Sequence, residues 1–319
     1  MKIDSINKYE PLITVAIPTF NRINLLKRAL ASVLAQSYKN IEIIVSDNAS
    51  TDGTNEYLKT IKDGRIKILI NEQNLGMVTN WDCCLECASG EYFILMSDDD
   101  ALSDPDAVEK LASGFLGDAG KDVGAVFSDV KLERVNQNRV ERTFSEKISY
   151  SPEEIIVDFF LNGLAVFPCA TLFRTKDIRD FGGYSSFSAK LAVDVCAWIF
   201  VALKYGKIRR IAEPLALYRI HQSSSSASIE TWSAEYEVML GLVAQNRQRV
   251  SDKAYGRIRV AIQVAWSRIP LGYIIKKYRE DSKYDAISVI KDLFYYRKRI
   301  FSLKNIYFIY KRIIRTSRT

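Results

Sequence analysis

Apolar positions in the first 130 residues fall into short runs separated by stretches of helical spacing. Residues 12–18 (Leu-Ile-Thr-Val-Ala-Ile-Pro), 41–45, 66–70, 92–96 and 123–127 are runs of strand length, and 92–96, β-branched and aromatic, reads as a fully buried strand. After the first run, Leu25, Leu26, Ala29, Leu30, Val33 and Leu34 share one helical face, with Asn21 as the expected N-cap. Further helices are expected near residues 56–61, over 77–89 with Gly90 as C-cap, and over 105–115. This alternation predicts βαβ units and an α/β fold with a mostly parallel, doubly wound sheet.

Beyond residue 130 the pattern loosens. Residues 133–149 are polar and read as a loop, Pro152 opens a helix to about 161, and 170–174 reads as a strand. Gly182-Gly183 marks a turn before a helix over 192–205, whose apolar face is Val195, Trp198, Ile199 and Ala202. Residues 207–211 and 215–218 predict two short strands, 222–228 a Ser-rich lid loop, and everything from 231 onward a basic helical segment.

Composition narrows the class. With 48% hydrophobic and 26% charged residues, the 319-residue chain is of ordinary globular type. Five cysteines (83, 84, 87, 169, 196) lack disulfide-framework spacing and read as small thiols of a reducing compartment rather than a zinc site. No signal-peptide stretch opens the chain, so a cytoplasmic protein is expected. Residues 247–319 hold 19 Lys and Arg against 5 Asp and Glu, a net +14 against +7 for the whole chain, which leaves the remainder near −7. The C-terminal segment, not the body, is therefore the part expected to meet an anionic surface.

The run Ser97-Asp98-Asp99-Asp100 follows the apolar strand 92–96. Carboxylates packed this closely repel one another and suit a hard cation such as Mg²⁺ or Mn²⁺ bridging to phosphate oxygens; a solvated acidic turn is the alternative. In an open α/β sheet the carboxyl ends of the strands are where ligands bind.

Five segments in order resemble the family 2 glycosyltransferases: Ile17-Pro18-Thr19-Phe20-Asn21-Arg22, Ser32 to Tyr38, Ser46-Asp47-Asn48-Ala49-Ser50-Thr51-Asp52-Gly53-Thr54, Asn74-Leu75-Gly76, and Gly90-Glu91-Tyr92 leading to the acidic run. The likeness continues through Gly182-Gly183-Tyr184, Asp194 and Tyr218-Arg219-Ile220-His221 to about residue 228. The resemblance implies a GT-A fold (Rossmann-like) over 1–228, with a nucleotide half at about 10–130 and an acceptor half at about 131–228; residues 229–319 lie outside it and read as a basic helical appendage. It implies a nucleotide site at Pro18, Thr19, Phe20, Asn21, Asp47 and Asp98. There Phe20 stacks on the base, unless it is core, and Asp47 accepts a uracil imide N–H, unless it only holds a turn. Asp52 is expected to cap the turn that follows it. The resemblance also implies Asp99 as metal ligand for Mn²⁺ or Mg²⁺, with Ser97 standing where a first Asp often stands. His221 is a further ligand candidate or a structural histidine, and Arg219 a helper at the diphosphate. No Arg or Lys lies between Asn71 and Gly90, where many members carry a basic residue.

Asp194 matches the family's general base. Its apolar neighbours Ala192, Val193 and Val195 would raise its pKa, whereas a bland reading makes it a carboxylate favoured by a helix N-terminus. Residues 295–319 interleave aromatic and basic side chains, which suits an anionic membrane surface or a packed helical appendage; no nucleic-acid-reading motif accompanies them. The expectation is a metal-dependent inverting enzyme moving a hexosyl or N-acetylhexosaminyl group from a UDP-linked donor to a glycan or lipid-linked acceptor in cell-surface polysaccharide synthesis. A non-catalytic nucleotide-sugar or glycan-binding protein on the same fold is the alternative.

Overall fold

The computed structural model describes residues 10–116, 122–134, 147–220 and 229–280, together with Ser288 and Lys291. The chain divides into two compact units, one of residues 1–152 and 165–224, the other of 153–164 and 225–319.

In the first unit the apolar runs become the buried strands β1 (Ile13–Thr19), β2 (Ile41–Asp47) and β4 (Tyr92–Leu95) and the partly exposed edge strand β3 (Ile66–Ile70). They are followed by β5 (Ala101–Leu102), β6 (Val123–Arg134), β7 (Ser149–Tyr150), β8 (Thr171–Arg174) and β9 (Lys207–Ile220). The sheet runs β3-β2-β1-β4-β8-β6-β9-β5, with β7 on β9. The long pairings β1–β2, β2–β3 and β6–β9 are parallel, as is β1–β4; the short pairings of β5, β7 and β8 are antiparallel.

Strand periodicity sorts the two faces. Ile13, Val15 and Ile17 of β1, with Ile43, Val45 and Ile94, pack into one core with Leu26, Ala29, Leu30 and Val33 of α1 (Ile23–Leu34) and Leu111 of α4 (Ala107–Ser113). The opposite face carries α3 (Met77–Cys87) and α7 (Val193–Tyr205); α2 (Thr54–Lys59) and α6 (Thr175–Asp180) are short connections. Cys84, Cys169 and Cys196 are buried, Cys83 is half-buried and Cys87 exposed.

Local expectations need four corrections. The α1 N-cap position is Arg22, not Asn21, and no side chain of its own caps it; the Ile23 N–H instead donates to Asp52 Oδ2 at 2.9 Å. Asp52 also accepts from Thr54 N–H and Oγ1, so it serves its own turn as well. Gly90 does not cap α3, which ends at Ala88 in extended backbone. Gly90 is needed because a Cβ there would lie 2.5 Å from Thr14 N, and Gly90→Ala is expected to lower stability by about 2 kcal/mol in a urea titration. The strands expected at 207–211 and 215–218 are one strand, β9, and β6 continues through Arg134 where a loop was expected.

In the second unit a π-helical turn, Asp158–Asn162, continues α5 (Pro152–Val157) and packs against α9 (Asp252–Glu280), which pairs with α8 (Ile229–Gln245). Phe160 lies against Tyr236, Arg257 pairs with Glu153, and Trp266 Nε1–H donates to Ser233 Oγ at 3.2 Å. No described helix is long and apolar enough to cross a membrane.

Candidate active site

The carboxyl ends of β1, β2 and β4 open onto a cleft of about 380 Å³ lined by Pro18, Thr19, Phe20, Arg22, Asn48, Asn74, Trp81, Ser97 and Asp98 among others. Its walls are two loops sewn together. Asn21 N–H donates to Ser50 Oγ at 2.8 Å, Thr51 N–H to Asn21 Oδ1 at 2.7 Å, and Asn48 N–H to Thr19 O at 2.9 Å. Asn21 and Ala49 both hold positive φ, the kind of backbone strain that persists where surrounding bonds over-determine it. A second network closes the other wall: Asn48 bonds Asn74 and Asn71, while Asn80 bonds Asn71 and Ser46.

Phe20 is 40% exposed, so its ring is on the surface of the cleft and not in the core. Asn21 spends its carboxamide oxygen on Thr51 and is not among the cleft-lining residues. Asp47, the last residue of β2, accepts the Ser50 N–H through Oδ1 at 3.1 Å, while its buried Oδ2 has no protein donor. Buried carboxylate oxygens are ordinarily satisfied, and this one is not; Asp47 itself is 1% exposed and is not among the cleft-lining residues.

The acidic run separates into two roles. Asp98 accepts from Thr19 Oγ1 at 2.8 Å, and its Oδ1 meets Arg22 Nη1 at 3.1 Å; the same nitrogen lies 3.2 Å from Asp99 Oδ2. Two carboxylate oxygens thus converge on one cationic point at the cleft, a hard-oxygen pair of the kind that binds Mg²⁺ or Mn²⁺ together with phosphate oxygens. Burial pushes the Asp98 carboxyl above its ordinary range, against the pull of Thr19 and Arg22. Asp100 faces away from that point: it is buried, accepts the Arg219 N–H at 3.2 Å and is bonded by the Cys169 thiol. Burial first, and the charge of Asp99 next, push Asp100 well above the usual carboxylate range. Among the described residues no group of three or more His, Cys, Asp and Glu side chains converges. Arg219 turns its guanidinium to Glu133 (Nε to Oε2, 2.7 Å) and does not line the cleft; His221 and residues 295–319 lie outside the described residues.

Asp194 is the second residue of α7 and half-buried. It lines a small cavity, room for about one water, with Tyr184, Trp198, Pro168 and Thr171. The turn before it is held by Asp82, which accepts the N–H groups of Tyr184 (2.6 Å) and Ser185 (3.0 Å); a Cβ on Gly183, at φ +85°, would meet Asp82 Oδ1 at 2.7 Å. Residues 168–171 join the two centres, since Cys169 bonds Asp100 while Pro168 and Thr171 line the cavity of Asp194. Tyr218 is a second link. Its ring packs on Phe167 (4.3 Å between centroids), and burial, then Asp100, Cys169, Asp194 and Asp99, push its phenol up to about 12.

Residues 14–181 match the profile of glycosyl transferase family 2. The chain belongs to this family. It is 37% identical over 105 residues to an uncharacterized glycosyltransferase of Haemophilus influenzae, a match covering 32% of each chain. Over 260 residues it is 28% identical to the GalNAc(5)-diNAcBac-PP-undecaprenol beta-1,3-glucosyltransferase of Campylobacter jejuni, covering 77% of this chain and 78% of that one. Its fold is that of S. aureus TarS 1-349, solved in complex with UDP-GlcNAc: TM-score 0.65 at 18% identity, covering 91% of this chain and 81% of that one. The architecture of this glycosyltransferase is therefore GT-A, with helices toward the C-terminus.

The sequence alone points to no site role for Arg22 or for the asparagine network, and Cys169 reads only as a small thiol. Arg22 stands in the first family-like segment, but its partners are 76 and 77 positions away. The crowding of Asn71, Asn74 and Asn80 around a strand end was the available signal for the network.

Proposed function

We propose that this glycosyltransferase moves a hexosyl or N-acetylhexosaminyl group, with inversion, from a UDP-sugar to a hydroxyl of a lipid-linked or polysaccharide glycan. The observation that carries the reading is the convergence of Asp98 Oδ1 and Asp99 Oδ2 on one cationic point at the mouth of the cleft. Mn²⁺ or Mg²⁺ held there by Asp98 and Asp99 would supply Lewis-acid neutralisation of the diphosphate leaving group. Phe20 stacks on the base and Asp47 Oδ2 accepts the uracil imide N–H, the donor that oxygen lacks within the protein. Asp194 takes the acceptor's hydroxyl proton as that oxygen bonds to the anomeric carbon and the bond to the diphosphate breaks. The UDP-GlcNAc complex of the TarS neighbour supports the donor class, and the undecaprenol-linked substrate in the Campylobacter relative's name supports the acceptor class. Contact of residues 295–319 with an anionic membrane at its cytoplasmic face is supported by composition.

The test is nucleotide release from UDP-, GDP- and TDP-sugars, with polyprenyl-diphosphate-linked glycans as acceptors, in Mn²⁺, Mg²⁺ or EDTA. Release from a UDP-sugar is expected, lost in EDTA and lowered about 100-fold by Asp98→Asn. Tight UDP binding with no release from any donor–acceptor pair would sink the catalytic reading in favour of a binding protein.

A further inference from the structure

Arg22 bridges the two carboxylates that would hold a metal ion. One nitrogen, Nη1, spans Asp98 Oδ1 and Asp99 Oδ2 at 3.1 and 3.2 Å, and a guanidinium and a divalent cation cannot both hold those oxygens. The Arg22 side chain is 50% exposed, whereas its two partners are 5% and 14% exposed. The cation is therefore the member that water can solvate once displaced, whereas the carboxylates are buried.

The backbone on either side of Arg22 is held. Asn21 is bonded to Ser50 and Thr51, and the Ile23 N–H to Asp52, so displacement of Arg22 is confined to its side chain. Arg22 is also the one cation among the described residues lining the cleft, in a chain with no Arg or Lys between Asn71 and Gly90 and with the Arg219 guanidinium taken by Glu133.

We infer that Arg22 is an exchangeable cation. Without donor it neutralises Asp98 and Asp99; when metal and nucleotide enter, it leaves the carboxylates and its guanidinium fork binds the donor diphosphate. The inference rests on the nucleotide-sugar reading and adds to it a residue that changes partners during donor binding. Its two consequences have opposite signs. Arg22 competes with metal in the empty site and strengthens diphosphate binding in the filled one.

Calorimetric titrations with Mn²⁺ alone, and with UDP and uridine at saturating Mn²⁺, separate the two. Arg22→Gln is expected to bind Mn²⁺ alone about fivefold more tightly, because the competing ion pair is gone. The same variant is expected to lose about tenfold or more in UDP affinity while its uridine affinity is unchanged. Arg22→Lys keeps a competing charge without the bidentate fork, so it should bind Mn²⁺ as weakly as the parent protein and UDP less tightly. Mn²⁺ affinity that is unchanged or lower in Arg22→Gln, equal Mn²⁺ affinity in the Lys and Gln variants, or undiminished UDP affinity would each overturn the exchange. A parent protein that binds neither UDP nor uridine would instead overturn the nucleotide reading, and the exchange with it.

Discussion

Asp194→Asn is expected to lower kcat about 10³-fold and to leave the affinity for UDP within twofold of the parent. The substitution keeps the shape of the side chain and removes its ability to accept a proton. Structural damage should be small, because Asp194 is half-buried at the second position of α7, where loss of a carboxylate costs the helix roughly 0.3–1 kcal/mol. Donor binding should survive because the cleft residues Pro18, Thr19, Phe20 and Asp98 belong to the first and fourth strand ends and not to α7. Initial rates with donor and acceptor, set beside a UDP titration, give both numbers. The pH profile adds a third reading: a base that must be ionised produces an acidic limb in the parent, and that limb should vanish in the Asn variant. Parent-like kcat in Asp194→Asn would remove Asp194 from the chemistry and leave it as a helix-terminal carboxylate.

Asp194 also shows what kind of information a sequence holds. Nothing in the spacing of Val193-Asp194-Val195 separates a base from a helix end; only the resemblance to a family pattern singled it out. The strands were legible for a physical reason. Burial on both faces leaves β1, β2 and β4 as mainly apolar runs, a signal that needs no long-range partner. Legibility failed where stability comes from charges paired across the sheet. Glu133 and Arg219 read as polar loop or site residues, yet they bond each other across β6 and β9, which is why both strands run further than their apolar content suggests. The strands expected at 207–211 and 215–218 run on through Pro214, which sits opposite Asp129 at a register shift, where the ladder is already irregular and tolerates a missing N–H. The α1 cap was misread because its acceptor, Asp52, comes from 29 residues further along the chain.

The same sheet irregularity holds the largest expected stability effect. Asp129→Leu should lower the free energy of unfolding by about 3–5 kcal/mol, because it removes the bidentate carboxylate partner of a buried guanidinium. Arg210 Nε and Nη2 meet Asp129 Oδ1 and Oδ2 at 2.7 and 2.6 Å, and the two side chains are only 3% and 5% exposed. Arg210 Nη1 reaches Lys147 O at 3.2 Å as well, tying the segment before β7 to the pair. Without its carboxylate the cation is left in a region too dry to solvate it. A second variant separates the loss of the pair from the exposure of a lone charge. Asp129→Leu with Arg210→Met replaces both partners by apolar groups and should recover most of the deficit, since a buried pair is worth little against hydrophobic groups of similar volume. The damage should also reach the site. Beyond the pair, β9 carries Ala216 and Leu217, which align with β5, and the Arg219 N–H that holds Asp100, so a loosened β6–β9 register lets the acidic turn shift. UDP affinity in Mn²⁺ should therefore fall in Asp129→Leu and return in the double variant. Recovery of stability without recovery of affinity would mean that the pair orients the acidic turn in a way apolar groups do not replace.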